Sequence, residues 1–177
     1  MIKTDYQEIS KTYDNNKYRH YIPKDAIISK LGSTKIRILD LGCGTGNYLQ
    51  KQQEFYPESN LEWFGVDLSA DMLKLAKTKT ENTTFYENSE EQINFEENYF
   101  DYIICNFAFH HFENKYLVLD LIFRSLKNNG IFKYKNIFTE IMKNWWVYKY
   151  VPETKFMRNR ITPRNRCLYS RPRGAIP

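Results

Sequence analysis

The apolar pattern of this chain switches repeatedly between a strand-like and a helix-like period. Ile38-Leu39-Asp40-Leu41 is a short apolar run that enters a loop with glycine on alternate positions, Gly42, Gly44 and Gly46, and becomes helix-like through Asn47-Tyr48-Leu49. Residues 61–67 read as a second strand. Residues 69–77 read as a helix with Met72, Leu73 and Ala76 as its apolar stripe. Ser69 is placed to cap that helix, and Asp71 falls in its first turn, where the helix dipole favours an acid. Residues 83–86 predict a third strand, 100–106 a fourth and 131–138 a fifth. Leu117, Val118, Leu121, Ile122 and Leu126 recur at helical spacing over 116–127. Near the N-terminus, Tyr6, Ile9 and Tyr13 share one helix face, and Ala26, Ile27 and Leu31 predict a helix over 24–31 that leads into the first strand.

The glycine loop carries the chemistry. Three residues without a Cβ let the backbone turn sharply and a ligand approach closely. N–H groups at the start of the following helix point into an electropositive concavity. An acidic residue stands just before the loop (Asp40) and another ends the second strand (Asp67). Ligands of open α/β sheets bind outside the carboxyl ends of the strands. These features predict a nucleoside-cofactor site on a doubly wound, mostly parallel α/β sheet. The dinucleotide fingerprint is G-x-G-x-x-G, with its third glycine one place later. Here the spacing is G-x-G-x-G.

With this loop, Asp67 and the following segments in order, residues 5–138 resemble the class I S-adenosylmethionine-dependent methyltransferases of the small-molecule type. The resemblance implies a Rossmann-like sheet, S-adenosylmethionine as cofactor, and methyl transfer to a small organic acceptor by in-line displacement. It implies that Asp40, Gly42, Cys43, Gly44, Thr45 and Gly46 wrap the methionine half of the cofactor. Asp67 would accept both ribose hydroxyls, with Leu68 beside it; a carboxylate can take two donors at once. The position of the family's adenine-binding aspartate falls on Ser89, a weaker acceptor, with Glu90 as the substitute. Asn106 would line the pocket at the end of the fourth strand. The loop 107–112 would border the methyl group, and His110 or His111 is the candidate general base for a hydroxyl or thiol acceptor. The alternative for both histidines is an ordinary loop position satisfied by backbone or solvent. Tyr13 and Phe109 are the candidate acceptor-lining residues. Tyr13 lies in a segment, Tyr13-Asp14 to Arg19-His20-Tyr21-Ile22-Pro23, that resembles the lid of small-molecule relatives; the alternative is a helix that simply packs on the domain. Asn106-Phe107-Ala108-Phe109 departs from the N-P-P-Y-like motif of amide-directed relatives, which argues against a DNA-amine methylase.

Length and composition agree with this reading. A chain of 177 residues buries one ordinary core. The expected organisation is a cofactor-binding domain over 1–151, with 1–34 as a helical lid, and an irregular Pro/Arg-rich tail over 152–177. No apolar run approaches a membrane span, and Met1-Ile2-Lys3-Thr4-Asp5 is not a signal peptide. Cys43, Cys105 and Cys167 have no C-x-x-C spacing, so neither a disulfide framework nor a metal site is expected, and the compartment expected is the cytoplasm.

The formal net charge of +5 resides in the tail, where residues 151–177 hold seven Lys and Arg against Glu153 alone. Four of the six prolines lie there too. The tail admits three readings: a nucleic-acid arm, a solvated terminus without a task, or an end altered relative to the ancestral fold. Nucleic acid as a partner rests on this tail only. Relatives finish with an antiparallel hairpin beside strand five, and nothing after Val151 reads as a pair of strands. The expectation is therefore a sheet of about five strands with the hairpin missing or altered. Strand five would be an edge guarded by Lys133 and Lys135. Residues 139–151, with Trp145 and Trp146, predict a helix with a large apolar surface. An exposed edge beside it predicts self-association through strand five. A truncated, non-catalytic protein that at most binds the cofactor is the alternative to an active enzyme.

Overall fold

The structure is a computed structural model that describes residues 6–32, 35–89, 92, 94–135 and 167–170; for 167–170 only the backbone is described. Among the described residues, six strands form one sheet: β1 (Ile36–Leu41), β2 (Leu61–Asp67), β3 (Thr83–Glu87), β4 (Phe100–Asn106), β5 (Leu126–Lys135) and β6 (Cys167–Ser170). Their spatial order is β3-β2-β1-β4-β5-β6. The first five are parallel, and β6 runs antiparallel to β5. The order reverses direction beside β1, so a crevice opens at the carboxyl ends of β1 and β4.

Among the described residues, four α-helices accompany the sheet: α1 (Tyr6–Tyr13), α2 (Asn47–Phe55), α3 (Ala70–Lys79) and α4 (Lys115–Ser125). Strands covered on both faces read as near-continuous apolar runs. On one face, Leu39, Leu41, Phe64, Val66, Ile103 and Phe132 pack against Val118 and Ile122 of α4. On the other, Ile36, Ile38, Tyr102 and Ile104 pack against Tyr48 and Leu49 of α2, Leu73 of α3, and Ile28. Ser69 caps α3 as the sequence predicts, its hydroxyl accepting from the Met72 N–H.

Four expectations are corrected. The helix expected over 24–31 is only a short 3₁₀ turn, Ile28–Lys30. The fifth strand starts at Leu126 rather than 131, because the chain passes directly from α4 into pairing with β4. Strand five is not a bare edge: Ile131 to Tyr134 pair with Ser170 to Cys167, so part of the tail is regular and one antiparallel strand stands where a hairpin is usual. Self-association through that edge loses its basis along those four residues. Lys133 is no edge guard either; its ammonium turns inward to the buried carboxylate of Asp25, at 2.6 Å. The predicted helix over 139–151 lies outside the described residues.

Candidate active site

The site is built where β1, β2 and β4 end. Asp40 of β1 lies level with Gly65 and Ile104 of its two neighbours. Asp67 and Asn106 stand two residues further along, at the strand ends, about 7 Å nearer the rim. The glycine loop is stitched to β2 first: the N–H groups of Gly42 and Cys43 both donate to the Val66 carbonyl, at 2.9 and 2.8 Å. Cys43 is buried in the core, which accounts for it without a chemical role.

Two glycines answer different demands. Gly44 has φ +54°, and a Cβ there would meet nothing within 4 Å, so its Cα faces open space. Gly46, at φ +74°, begins α2 against α3, where a Cβ would stand 2.9 Å from the Ala76 Cβ. One glycine leaves room for a ligand; the other lets two helices touch.

Asp67 faces the loop. Its Oδ2 accepts the Gly44 N–H at 2.7 Å, and its Oδ1 accepts the Ser69 N–H at 2.9 Å. Burial raises its pKa, and the backbone hydrogen bonds from Ser69, Gly44 and Leu68 work against that. A carboxylate has about four lone-pair positions, so the backbone donors that hold Asp67 do not exhaust its acceptor capacity. Asp40 is 1% exposed, and its Oδ1 has no hydrogen-bond partner. Burial, with the Asp67 charge added, pushes its pKa up to about 8. A buried carboxyl without a partner costs stability, so such a group calls for an explanation.

From the other strand ends, Asn106 closes β4 half-buried, and Phe107 follows in a left-handed conformation, φ +56°. A bulky residue at positive φ stores strain. The Phe107 N–H donates to the Lys135 carbonyl at 2.7 Å, which holds the turn. A 3₁₀ turn, Phe109–His111, then brings the two histidine rings together with centroids 3.8 Å apart. Burial lowers the His111 pKa, Lys115 acts in the same direction, and Asp67 opposes them. His111 is thus within electrostatic reach of Asp67, and its surroundings favour the neutral imidazole.

Tyr13, at the end of α1, also reaches this place. Burial raises its pKa, the Arg19 guanidinium opposes the shift, and the Asp67 carboxylate adds to it. Arg19 stacks on the Tyr13 ring at 3.6 Å.

The sequence profile of the family described as "Methyltransferase domain" matches residues 38–130, more than half of the chain. The chain belongs to this family. Among curated relatives, the malonyl-[acyl-carrier protein] O-methyltransferase of Bacillus cereus is 36% identical over 101 residues, which cover 56% of this chain and 36% of the relative. The demethylmenaquinone methyltransferase of Staphylococcus aureus is 30% identical over 135 residues, 71% of this chain and 56% of the relative. The chain thus spans about a third to just over a half of the length of these two relatives. Among solved structures, the plantazolicin methyltransferase in complex with SAH has a TM-score of 0.67 at 21% identity, covering 79% of this chain and 56% of the other. A SAM-dependent methyltransferase from Aquifex aeolicus has a TM-score of 0.64 at 18% identity, covering 85% and 88%. These likenesses agree on the Rossmann-like fold expected for a class I S-adenosylmethionine-dependent methyltransferase.

The methyltransferase loop and its surroundings fit that cofactor. Gly44 offers the space, Asp67 acceptor capacity, and Asp40 a buried carboxyl oxygen without a hydrogen-bond partner. The other expected residues fall as follows. Thr45 is buried, and its hydroxyl donates to Asp14 rather than pointing to the crevice. Leu68 is 58% exposed beside Asp67, as an apolar surface for a ring would be. Ser89 follows β3 and its carbonyl accepts the Gln92 N–H, whereas Glu90 lies outside the described residues. Phe109 packs among Phe112, Phe132 and Tyr134, with centroids 5.4 to 6.4 Å away, so its ring belongs largely to the core. Asp14 and the network around Asp25 went unnoticed in the sequence. Their partners lie 31 and up to 108 residues away, and no local pattern marks them.

Proposed function

We propose that this chain binds S-adenosylmethionine across the glycine loop and Asp67 and transfers its methyl group to a small organic acceptor. The observation that carries the reading is the Asp67 carboxylate, fixed by the Gly44 and Ser69 N–H groups and facing the open space over the loop. When bound, the cofactor supplies an electrophilic methyl group on a positively charged sulfur. Asp67 orients the ribose by accepting its hydroxyls, and a cationic ligand would favour ionisation of the buried Asp40 carboxyl, which is protonated at neutral pH without it. Tyr13 and the loop 107–112 close the crevice from opposite sides and exclude water. Holding a nucleophile in line with the methyl carbon then provides much of the acceleration.

For a hydroxyl or thiol acceptor, His111 takes the proton on an unprotonated imidazole nitrogen. Its lowered pKa keeps that nitrogen available at neutral pH. The acceptor class is supported by the two curated relatives, whose names specify a malonyl-[acyl-carrier protein] and a demethylmenaquinone. A non-catalytic remnant is the less favoured alternative, since the loop, Asp67 and the histidine turn are all in place.

The test is calorimetric titration with S-adenosylmethionine and S-adenosylhomocysteine, comparing wild type with Asp67→Ala. Saturable one-to-one binding is expected, and each hydrogen bond lost to a charged acceptor costs about 1.5–3 kcal/mol. Absence of binding in a folded wild-type sample sinks the reading.

A further inference from the structure

We infer that Asp14 is a positioning residue for the cofactor loop, coupling the shape of that loop to the docking of residues 6–20. The inference rests on the cofactor reading above for its purpose but not for its geometry.

One carboxylate joins three separate pieces of the domain. Asp14 Oδ1 accepts the Thr45 hydroxyl and the Asn47 side-chain amide, each at 2.8 Å. Its Oδ2 meets the Lys79 ammonium at 2.5 Å, and Lys79 also donates to Asn47 Oδ1 at 2.7 Å. Thr45 belongs to the glycine loop, Asn47 is the first residue of α2, and Lys79 is the last of α3. Asp14, Asn47 and Lys79 close a ring of three side chains, and Thr45 is tied to it through Asp14.

The loop needs such a tie. Thr45 stands between Gly44 and Gly46, both left-handed, where the backbone has the widest choice of conformations. Its hydroxyl is the side-chain handle between those two glycines. The cap residue of α2 is Gly46, which has no side chain to bond the first turn. A carboxylate brought in from elsewhere supplies negative charge at that helix start. Burial alone would raise the Asp14 pKa, but donors from Lys79, Asn47 and Thr45 outweigh it and hold the group below the usual range. Asp14 is therefore charged at neutral pH.

The same segment delivers Tyr13 and Arg19 to the site, and the His20 ring bonds the Asp14 carbonyl at 2.7 Å. Covering the crevice and setting the loop thus happen together. Asp14 and Asp25, both ahead of β1, divide the work. Asp25 is sunk in the core beneath Tyr48, Tyr102 and Lys133. The Asp14 side chain keeps 26% of its surface in solvent, so it is the pin that can release.

The test is amide hydrogen exchange on the cofactor-free chain, with S-adenosylhomocysteine affinity measured alongside, for wild type, Asp14→Ala and Asp14→Asn. In Asp14→Ala, exchange over 43–50 and over 6–20 rises about tenfold while β1 and β4 hold their protection. Affinity falls by about tenfold, and Asp14→Asn, which keeps an acceptor oxygen, lies between. Unchanged exchange over 43–50 overturns the proposal, and so does a uniform rise that includes β1 and β4, since that is general destabilisation. If exchange responds as expected but wild type binds no S-adenosylhomocysteine, the cofactor reading falls and the coupling stands. If wild type and Asp14→Ala bind alike with equal exchange, Asp14 loses its role and the cofactor reading stands.

Discussion

The Lys133 ammonium of β5 meets the Asp25 carboxylate at 2.6 Å, across 108 residues of chain. The same oxygen accepts the hydroxyls of Tyr48 and Tyr102, at 2.9 and 2.7 Å, so one buried carboxylate ties the segment before β1 to α2, β4 and β5. Burial opposes its ionisation, but Lys133 and Tyr102 overcome this and hold the pKa below the usual value. A buried ion pair adds little over apolar packing, yet removing one partner strands the other. Asp25→Ala is therefore expected to lower the unfolding free energy by about 3–5 kcal/mol, read from the denaturant midpoint. A folded-state pKa below the unfolded one means this stability is present at neutral pH and is lost as acid titrates through the folded pKa. An Asp25→Ala protein with wild-type stability at pH 7 would contradict the assignment.

Asp40 titrates with the opposite sign. Its folded pKa is about 8, against an unfolded value of about 3.9. Between those values the native state binds the extra proton, so stability falls as pH rises from about 4 to about 8. Asp40→Asn removes the titration and keeps the shape. It should flatten that slope and gain progressively over wild type toward pH 8, while the two converge near pH 4. Thermal unfolding across that range measures it, and parallel curves for the two proteins would refute it.

What could be read from the chain was chemistry confined to a few neighbouring residues. Asp40, the three glycines and Asp67 suggest a site because the turn, the close approach and the acceptor are properties of nearby positions, and in the structure Asp67 accepts the N–H of Gly44. Asp14 and Asp25 gave no such sign, since each is defined by partners from other elements. Lys133 misled for a related reason. In Ile131-Phe132-Lys133-Tyr134 the alternation looks like an exposed face, and only the fold reveals a buried carboxylate opposite the charge. β6 lay hidden in arginine- and proline-rich sequence because four residues pair through their backbone, which side-chain pattern does not encode.

The two loop glycines separate binding from stability. Gly44→Ala places a methyl in open space, so its structural cost is the left-handed backbone, about 1–2 kcal/mol. That methyl occupies the room left for the cofactor, and S-adenosylhomocysteine affinity should fall far more than stability does. Gly46→Ala adds the collision with Ala76 and is expected to cost about 3 kcal/mol or more. Paired calorimetry and chemical denaturation would show the contrast, and equal effects on both quantities in Gly44→Ala would remove the argument for a ligand above that residue.

His111 gives the prediction closest to the chemistry. Burial and Lys115 lower its pKa, so its ring protons should titrate by NMR below the ordinary histidine value of about 6.5. Asp67 pulls the other way, and Asp67→Ala should move that titration lower still. As the base for a hydroxyl or thiol acceptor, His111 loses function as it protonates, which places the acid limb of kcat/KM at the same pH as the NMR transition. His111→Gln should remove the limb and lower kcat by about 10²–10⁴-fold, with S-adenosylhomocysteine affinity retained. His110→Gln, whose ring lies tilted beside His111, should retain the limb and most of the rate. An acid limb that persists in His111→Gln would transfer the base role to another group.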